Sequence, residues 1–599
     1  MHQNADFAAK YSRDAFKRTA SSLLNVVKRC PSFDVARDRL RARVSQLNFD
    51  TLGGRIELPS HELIRIRDCG LVMSSILSRR ADARSGFSVA RALWDVAQGQ
   101  PRDDLSSAFF AELTHLVRGL EGRARFTFIR NRKVRPELSG RDAAILRSRE
   151  LDRMWQTADA HMAQWPSGLD DDAVTRRRKR AASIQKTLGG SPEDWTDWRW
   201  QLRHVVTDPE LLQRLVRLTP DEEHAVRQAH AARLPFGVTP HYLSLMDDGG
   251  GSRDMAIRAQ VLPDRTYVEH MIQHRHNLEH SCDFMLESDT SPVDLVTRRY
   301  PAIAILKPFN TCPQICVYCQ RNWEIDQAMA PGAMARTERI ADAIRWIDER
   351  PAIKEILVTG GDPLSLSDGR LRTILDQVAG IDHVDLIRIG TRTPVTLPMR
   401  ITPALARLLA RYREPGRREL AVVTHVEHPY EITPEVVQAV DRLRRVGISV
   451  YNQHVYTFFV SRRFEAAKLR MLLRRIGIDP YYTFAPKGKD ETASFRVPIA
   501  RILQEQKEEA RLMPGTRRTD EAVYNVPGLG KNYLRALQHR DLISVQADGS
   551  RSYEFHPWEK NLVDQDTWVA KDMPILDYLR RLAAIGEDPE QYQSIWYYF

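Results

Sequence analysis

From residue 300 onward the chain alternates between short apolar runs and amphipathic helical patterns. Residues 302–306, 355–358, 384–389, 420–424, 449–453 and 481–484 read as strands. Between them, 341–350, 371–378, 403–411, 434–445 and 462–475 read as helices. Such alternation admits few folds. Each helix carries the chain back to the starting edge, so the strands lie parallel and the crossovers are right-handed. Six units are fewer than a closed eight-stranded barrel needs. The predicted fold class is therefore α/β, an open partial (β/α)6 barrel.

A fold of this kind places its chemistry at the C-terminal ends of its strands. Polar stretches fall at each of those ends. Thr359-Gly-Gly-Asp-Pro-Leu364 follows the second strand and Gly390-Thr-Arg-Thr-Pro-Val395 the third. His425-Val-Glu-His428 follows the fourth, Asn452-Gln-His454 ends the fifth, and Pro486-Lys487 follows the sixth. After the first comes Asn310-Thr-Cys-Pro-Gln-Ile-Cys-Val-Tyr-Cys-Gln-Arg321, with Cys312, Cys316 and Cys319 spaced C-x3-C-x2-C. Three thiolates this close can hold three irons of a [4Fe–4S] cluster and leave the fourth iron open to a small molecule. The alternatives are structural zinc or three unrelated thiols. Structural zinc calls for a fourth cysteine or a second C-x2-C pair, and none lies nearby.

Residues 1–185 read as a helical N-terminal domain. Phe109, Leu113, Leu116, Val117 and Leu120 form one apolar stripe at helical spacing. The region has no phosphate loop and no metal-ligand cluster, so packing or oligomerisation is its expected role. The further divisions are a helical lead-in at 190–298, the barrel at 299–486, a C-terminal binding part at 487–560 and a helical aromatic tail at 561–599. With 42% apolar and 28% charged residues the chain reads as globular. No apolar run is long enough for a membrane span and no signal peptide is visible. Cys30, Cys69 and Cys282 are scattered and read as buried free thiols, which fits a reducing cytoplasm. The formal charge is +11, and its only dense run is Arg176-Arg-Arg-Lys-Arg180. That run reads as a solvated helix face, with RNA or an acidic partner as the alternative.

Taken together these stretches resemble the lysine 2,3-aminomutase family of radical S-adenosylmethionine (SAM) enzymes, nearest to its glutamate branch. The resemblance rests on 195–201, Thr239-Pro-His-Tyr-Leu-Ser-Leu245, Arg299-Tyr-Pro301, the cysteine motif, Gly360-Gly-Asp362, 387–394, Thr424-His425, Asn452-Gln453 and Pro527-Gly-Leu-Gly-Lys531. It covers roughly 190–535 and implies two cofactors besides the cluster. SAM at the open iron gives a 5′-deoxyadenosyl radical after one-electron reduction. Pyridoxal phosphate (PLP) holds the substrate amine while nitrogen moves from Cα to Cβ. On the SAM side the resemblance names Tyr318, Gly360, Gly361, Asp362, Arg392, His425 and Gln453. On the PLP side it names Lys531, Arg299 and Tyr300. Two departures stand out: Gly-Leu-Gly where the family has four glycines before the lysine, and Ile303 where it usually has arginine.

For the substrate the resemblance names Arg321, on the α-carboxylate, and the positions of Lys487 and Asn525. In the lysine enzyme two aspartates occupy the latter pair and grip the distant ammonium. A lysine there would repel an ammonium by about 4 kcal/mol at ~4 Å and an effective dielectric of 20. The swap suits a side-chain carboxylate instead. The expected reaction is a 2,3-amino shift on glutamate or a similar acidic amino acid. In the run Lys487-Gly-Lys489, Lys489 is the alternative cation. The expected partners are a small amino acid and an external one-electron reductant of flavodoxin or ferredoxin type, in a possible homo-oligomer without membrane or nucleic acid. The lysine enzyme binds zinc through C-terminal cysteines. This chain has none after Cys319, so no zinc is expected. The rival readings are the same chemistry on another amino acid or on a protein- or RNA-linked target, suggested by the extra 185 residues, and simple electron transfer.

Overall fold

The computed structural model describes residues 9–53, 58–124, 138–247, 252–277, 282–486, 488–556 and 562–599. The chain divides into two compact units, 158–496 with 510–531, and 1–157 with 497–509 and 532–599. The larger holds a sheet in strictly sequential order. Its strands are β1 (Val296–Tyr300), β2 (Ile303–Phe309), β3 (Glu355–Gly360), β4 (Leu386–Gly390), β5 (Glu419–Thr424), β6 (Ser449–Val455), β7 (Asp479–Phe484), β8 (Glu521–Val526) and β9 (Gly530–Tyr533). Strand β1 runs antiparallel to β2. From β2 to β8 every neighbour is parallel, which makes a partial barrel of seven parallel strands.

The six expected strands are β2 to β7. The seventh, β8, is reached through 490–517, where the short helix Ile499–Gln504 runs into a π-helical stretch Glu505–Glu509 between 3-10 turns, so the regular amphipathic return helix of the other units is broken before it. Helices Thr337–Asp348, Asp368–Ala379, Pro403–Ala410, Pro434–Arg445 and Glu465–Ile476 make the remaining crossovers. Local chemistry sets their starts. Thr402 and Thr433 cap two of them by accepting from the Leu405 and Val436 N–H groups, with proline at the first helical position.

The parallel register stacks one buried row across the sheet. Leu306 lies opposite Val358, Val358 opposite Ile389, Ile389 opposite Val422, and Val422 opposite Val450. These residues join the core with the helices. The alternate positions face the other way and stay half-buried: Ile305, Lys307, Glu355, Arg388, Tyr451 and Gln453 among them. A strand's period of two therefore gives the barrel one apolar outer face and one polar lumen.

Arg470, on helix Glu465–Ile476, forks onto Asp520 just before β8, at 2.9 Å through both Nε and Nη2. Thr483 of β7 donates to the same carboxylate at 2.7 Å. Burial works against this carboxylate, but Arg470 and Thr483 hold its pKa well below the usual range. Asp520→Ala strands a buried guanidinium. It is expected to destabilise this unit by about 3–5 kcal/mol, read as a lower denaturant midpoint.

The Arg176–Arg180 run is a helix face only partly in solvent, with Arg178 and Lys179 exposed. It lies in helix Asp171–Thr187, where Arg177 is buried and pairs with Glu435 at 2.9 Å. Arg180 donates to the Leu215 carbonyl at 2.8 Å.

The smaller unit is built on helix Ser107–Leu120, whose predicted stripe is buried. With its other helices it contains a three-stranded antiparallel sheet, β10 (Arg540–Val545), β11 (Arg551–Phe555) and β12 (Trp568–Lys571). Glu112 of the helix and Arg551 of β11 form a buried ion pair at 3.0 Å. His115 stacks on Trp596 at 4.5 Å. The N-terminal helices thus share a core with the tail. The expected boundaries at 185, 487 and 560 are not where the units divide, and 561–599 contains a strand as well as helix. No helix among the described residues is long and apolar enough to cross a membrane.

Candidate active site

The cysteine loop leaves β2 and is held by its backbone. Ile315 N–H donates to the Gly237 carbonyl at 3.0 Å and Val317 N–H to Gln260 at 2.9 Å. Cys312, Cys316 and Cys319 are half-buried, and Cys312 lies close enough to the other two to feel their charge. Burial pushes the Cys316 thiol up, while Arg392 pulls it back. Arg392 Nη1 donates to Cys316 Sγ at 3.0 Å, and the Arg321 N–H to Cys319 Sγ at 3.4 Å. Donors aimed at sulfur favour thiolates and suit a metal cluster.

The turn after β3 packs directly on this loop. Gly360 has φ +109°, and a side chain on it would sit 2.7 Å from the Phe309 carbonyl. At Gly361 a Cβ would overlap the Thr311 backbone. Close approach to the cysteine loop therefore demands both glycines. The Asp362 side chain turns toward the segment after β4. It accepts from Thr391 Oγ1 at 2.6 Å, Leu364 N at 3.1 Å, Arg392 N at 2.9 Å and Thr393 N at 3.0 Å. Those bonds engage the carboxylate in clamping the turn after β4.

On the same lumen, Lys531 reaches in from β9. Its Nζ lies 3.4 Å from the Tyr300 hydroxyl, 4.8 Å from the centre of the Tyr300 ring and 5.1 Å from that of Tyr482. Gly530, at φ +114°, is needed because any side chain there would meet Tyr300 at 2.9 Å. Desolvation, then repulsion from Arg388 and Arg299, lowers the Lys531 pKa to about 8. Arg299 Nη2 is buried with no hydrogen bond among the described residues, and its nearest acid is Glu287 at 3.5 Å. A lysine of lowered pKa beside an underused buried guanidinium fits a group that carries both an aldehyde and a phosphate.

Residues 306–461 match the radical SAM superfamily. An uncharacterized KamA family protein of Methanocaldococcus jannaschii is 40% identical over 597 residues, 96% of this chain and 95% of its own length. The chain belongs to the KamA family. The glutamate 2,3-aminomutase of Clostridioides difficile is 33% identical over 55% of this chain and 74% of its own length. An L-lysine 2,3-aminomutase of Clostridium subterminale is 35% identical over 52% and 72%. These two values do not assign the chain to either branch. The methanogen protein matches along nearly the whole chain, while the two aminomutases match about half. As a radical SAM protein of the KamA family, the chain takes a [4Fe–4S] cluster and SAM.

The remaining expected residues fall in distinct places. Tyr318 donates to Gln260 at 3.3 Å and to Glu427 at 3.2 Å. Arg392 is buried in a network with Cys316, Gln260, Tyr242 and Glu431. His425 lies 3.7 Å from Glu427. Gln453 is a half-buried lumen residue of β6, and Asn525 is half-buried on β8. Lys487 lies outside the described residues. Lys489 is buried and already engaged, donating to the Cys319 carbonyl at 3.1 Å and to Asn322 at 3.4 Å.

Arg321 carries a partner that sequence reasoning did not find. Its Nε and Nη2 fork onto Glu287 at 3.1 and 2.6 Å. Burial alone would push Glu287 up, but Arg321, Lys307 and Arg299 hold its pKa down. The fork expected for a substrate is thus half spent. Arg321 Nη1, buried and without a hydrogen bond among the described residues, marks the edge still open. Glu427 and Glu431 were also missed. Both sit in the His425–Glu431 stretch, where the histidines drew attention and the carboxylates hold the structure.

Proposed function

We propose that the chain is a radical SAM, PLP-dependent 2,3-aminomutase acting on glutamate or a similar acidic amino acid. One observation carries the reading: Lys531, with a lowered pKa, lies beside Arg299 and Tyr300 in the barrel whose rim bears the three cysteines. When bound, PLP supplies an electron-withdrawing ring that lets the amino nitrogen migrate as a radical. The chain's own residues do the rest. Lys531 offers a neutral amine at Nζ, and Arg299 offers an N–H toward phosphate. Arg321 orients a carboxylate through Nη1. The Gly360–Asp362 turn and Arg392 fix the cysteine loop against which SAM binds. The cluster needs a one-electron reductant from outside.

The excess of basic groups around Glu287 supports an anionic ligand. Arg321, Arg299 and Lys307 share that one carboxylate, and burial keeps the nearby Glu324 toward its protonated form. The test is an anaerobic assay with SAM and dithionite, offering glutamate, aspartate and lysine separately and resolving the products by NMR. β-Glutamate is the expected product. Turnover of lysine alone would overturn the substrate assignment and leave the aminomutase reading standing.

The lowered Lys531 pKa has a testable sign. Its reactive form is the neutral amine, which grows as pH rises through about 8. At pH 7 roughly a tenth is neutral, about 300-fold more than for a lysine with ordinary pKa. PLP incorporation into apo-protein is expected to accelerate about tenfold from pH 7 to pH 9 and then level off, as followed by stopped-flow absorbance.

A further inference from the structure

Beside the cysteine loop lies a second group of ligand-bearing side chains that the reaction does not use. A ring nitrogen of His270, Cys282 Sγ and a carboxylate oxygen of Glu491 all lie within 4.8 Å of one another. His270 belongs to helix Arg265–Gln273, and Glu491 to the turn Asp490–Phe495. Cys282 and Glu491 are buried, Glu491 completely. The Nε2 of His270 is closed to solvent and has no hydrogen-bond partner among the described residues, whereas Glu491 is paired with Lys489. Two other contacts touch the group. Lys489 Nζ lies 2.6 Å from Glu491 Oε1, and Met271 Sδ lies 3.8 Å from Cys282 Sγ.

We propose that His270, Cys282 and Glu491 bind one divalent metal ion of the zinc class, separate from the iron–sulfur cluster. Imidazole, thiolate and carboxylate are the three donor types zinc accepts together. Tetrahedral zinc holds its donors roughly 3.3–3.8 Å apart, so closing on the ion needs about an ångström of inward movement. The stretch 270–282 carries four histidines and one cysteine, a composition that suits metal binding. The missing C-terminal cysteines argued against zinc in the tail, and this site uses none of those positions. Its consequence is mechanical. The turn it fastens carries Lys489, which donates to the Cys319 carbonyl, so the ion would brace the cluster loop from outside.

Cobalt titration of the chelator-treated, full-length protein tests this, since a cobalt–thiolate bond has its own charge-transfer absorption. The titration is run on the wild type and on Cys312→Ala/Cys316→Ala/Cys319→Ala, which removes the cluster thiols from the reading. The expected result is one cobalt–thiolate band in both, lost in Cys282→Ser and weakened at least tenfold in affinity in His270→Ala. Zinc should abolish it by competition. His270 is only partly buried, so its variant reports on the site even if Cys282→Ser fails to fold. The absence of a band from the triple variant would overturn the proposal, as would a band whose affinity His270→Ala leaves unchanged.

Discussion

Lys531→Ala is expected to abolish both the borohydride-sensitive visible absorption of the purified protein and amino migration, while reductive cleavage of SAM continues. The separation follows from where the groups sit. The three cysteines and the Gly360–Asp362 turn that packs on them belong to the loops after β2 and β3, whereas Lys531 comes from β9. Removing the amine takes away the covalent hold on PLP without touching any bond to the cysteine loop. Loss of turnover should be on the order of 10³-fold or more, since the amine placed to hold PLP beside Tyr300 is gone. Lys531→Arg should fail equally, because a guanidinium stays charged. Cleavage of SAM by Lys531→Ala at the wild-type rate, with no visible band, is the expected pair of readings. Full amino migration without the band would remove PLP from the proposal.

The barrel was legible because every β2-to-β7 unit repeats one pattern: an apolar run, a polar rim and an amphipathic return helix. Strand β8 was not, because its approach through 490–517 breaks that rhythm. The small sheet β10–β12 was hidden for another reason. Strand β11, Arg551–Phe555, is buried along its whole length yet reads as charged, since Arg551 is neutralised by Glu112, far away in sequence. Sequence reading weighs a residue's own chemistry and not its distant partner. The same limit applied in the site. Cys312, Cys316, Cys319 and Lys531 could be put forward from sequence because their local motifs are specific. Glu287 was missed because nothing in Leu286-Glu287-Ser288 signals that it will face Arg321. Asp362 was found for its place in Gly-Gly-Asp, but its work as a four-bond clamp depends on a turn about thirty residues away.

Arg321 and Glu287 make the second large effect testable as a pair. Arg321→Gln removes the Nη1 edge and leaves Glu287 to Arg299 at 3.5 Å and to Lys307. The expected loss in kcat/KM for glutamate is on the order of 10²- to 10³-fold, comparable to losing a buried charge-assisted pair. Stability should also fall, by about 1–3 kcal/mol, because Glu287 loses its closest partner. Glu287→Gln acts in the opposite sense on the ligand. It withdraws the competing carboxylate and leaves Arg321, Arg299 and Lys307 with less to neutralise them, so KM for an anionic amino acid should drop. The double variant separates the two roles. If Arg321 serves the substrate, Arg321→Gln/Glu287→Gln regains stability, since both members of the buried pair become neutral together, but it does not regain kcat/KM. Recovery of both would mean that Arg321 is there only to balance Glu287, and the substrate carboxylate would have to be held elsewhere in the lumen.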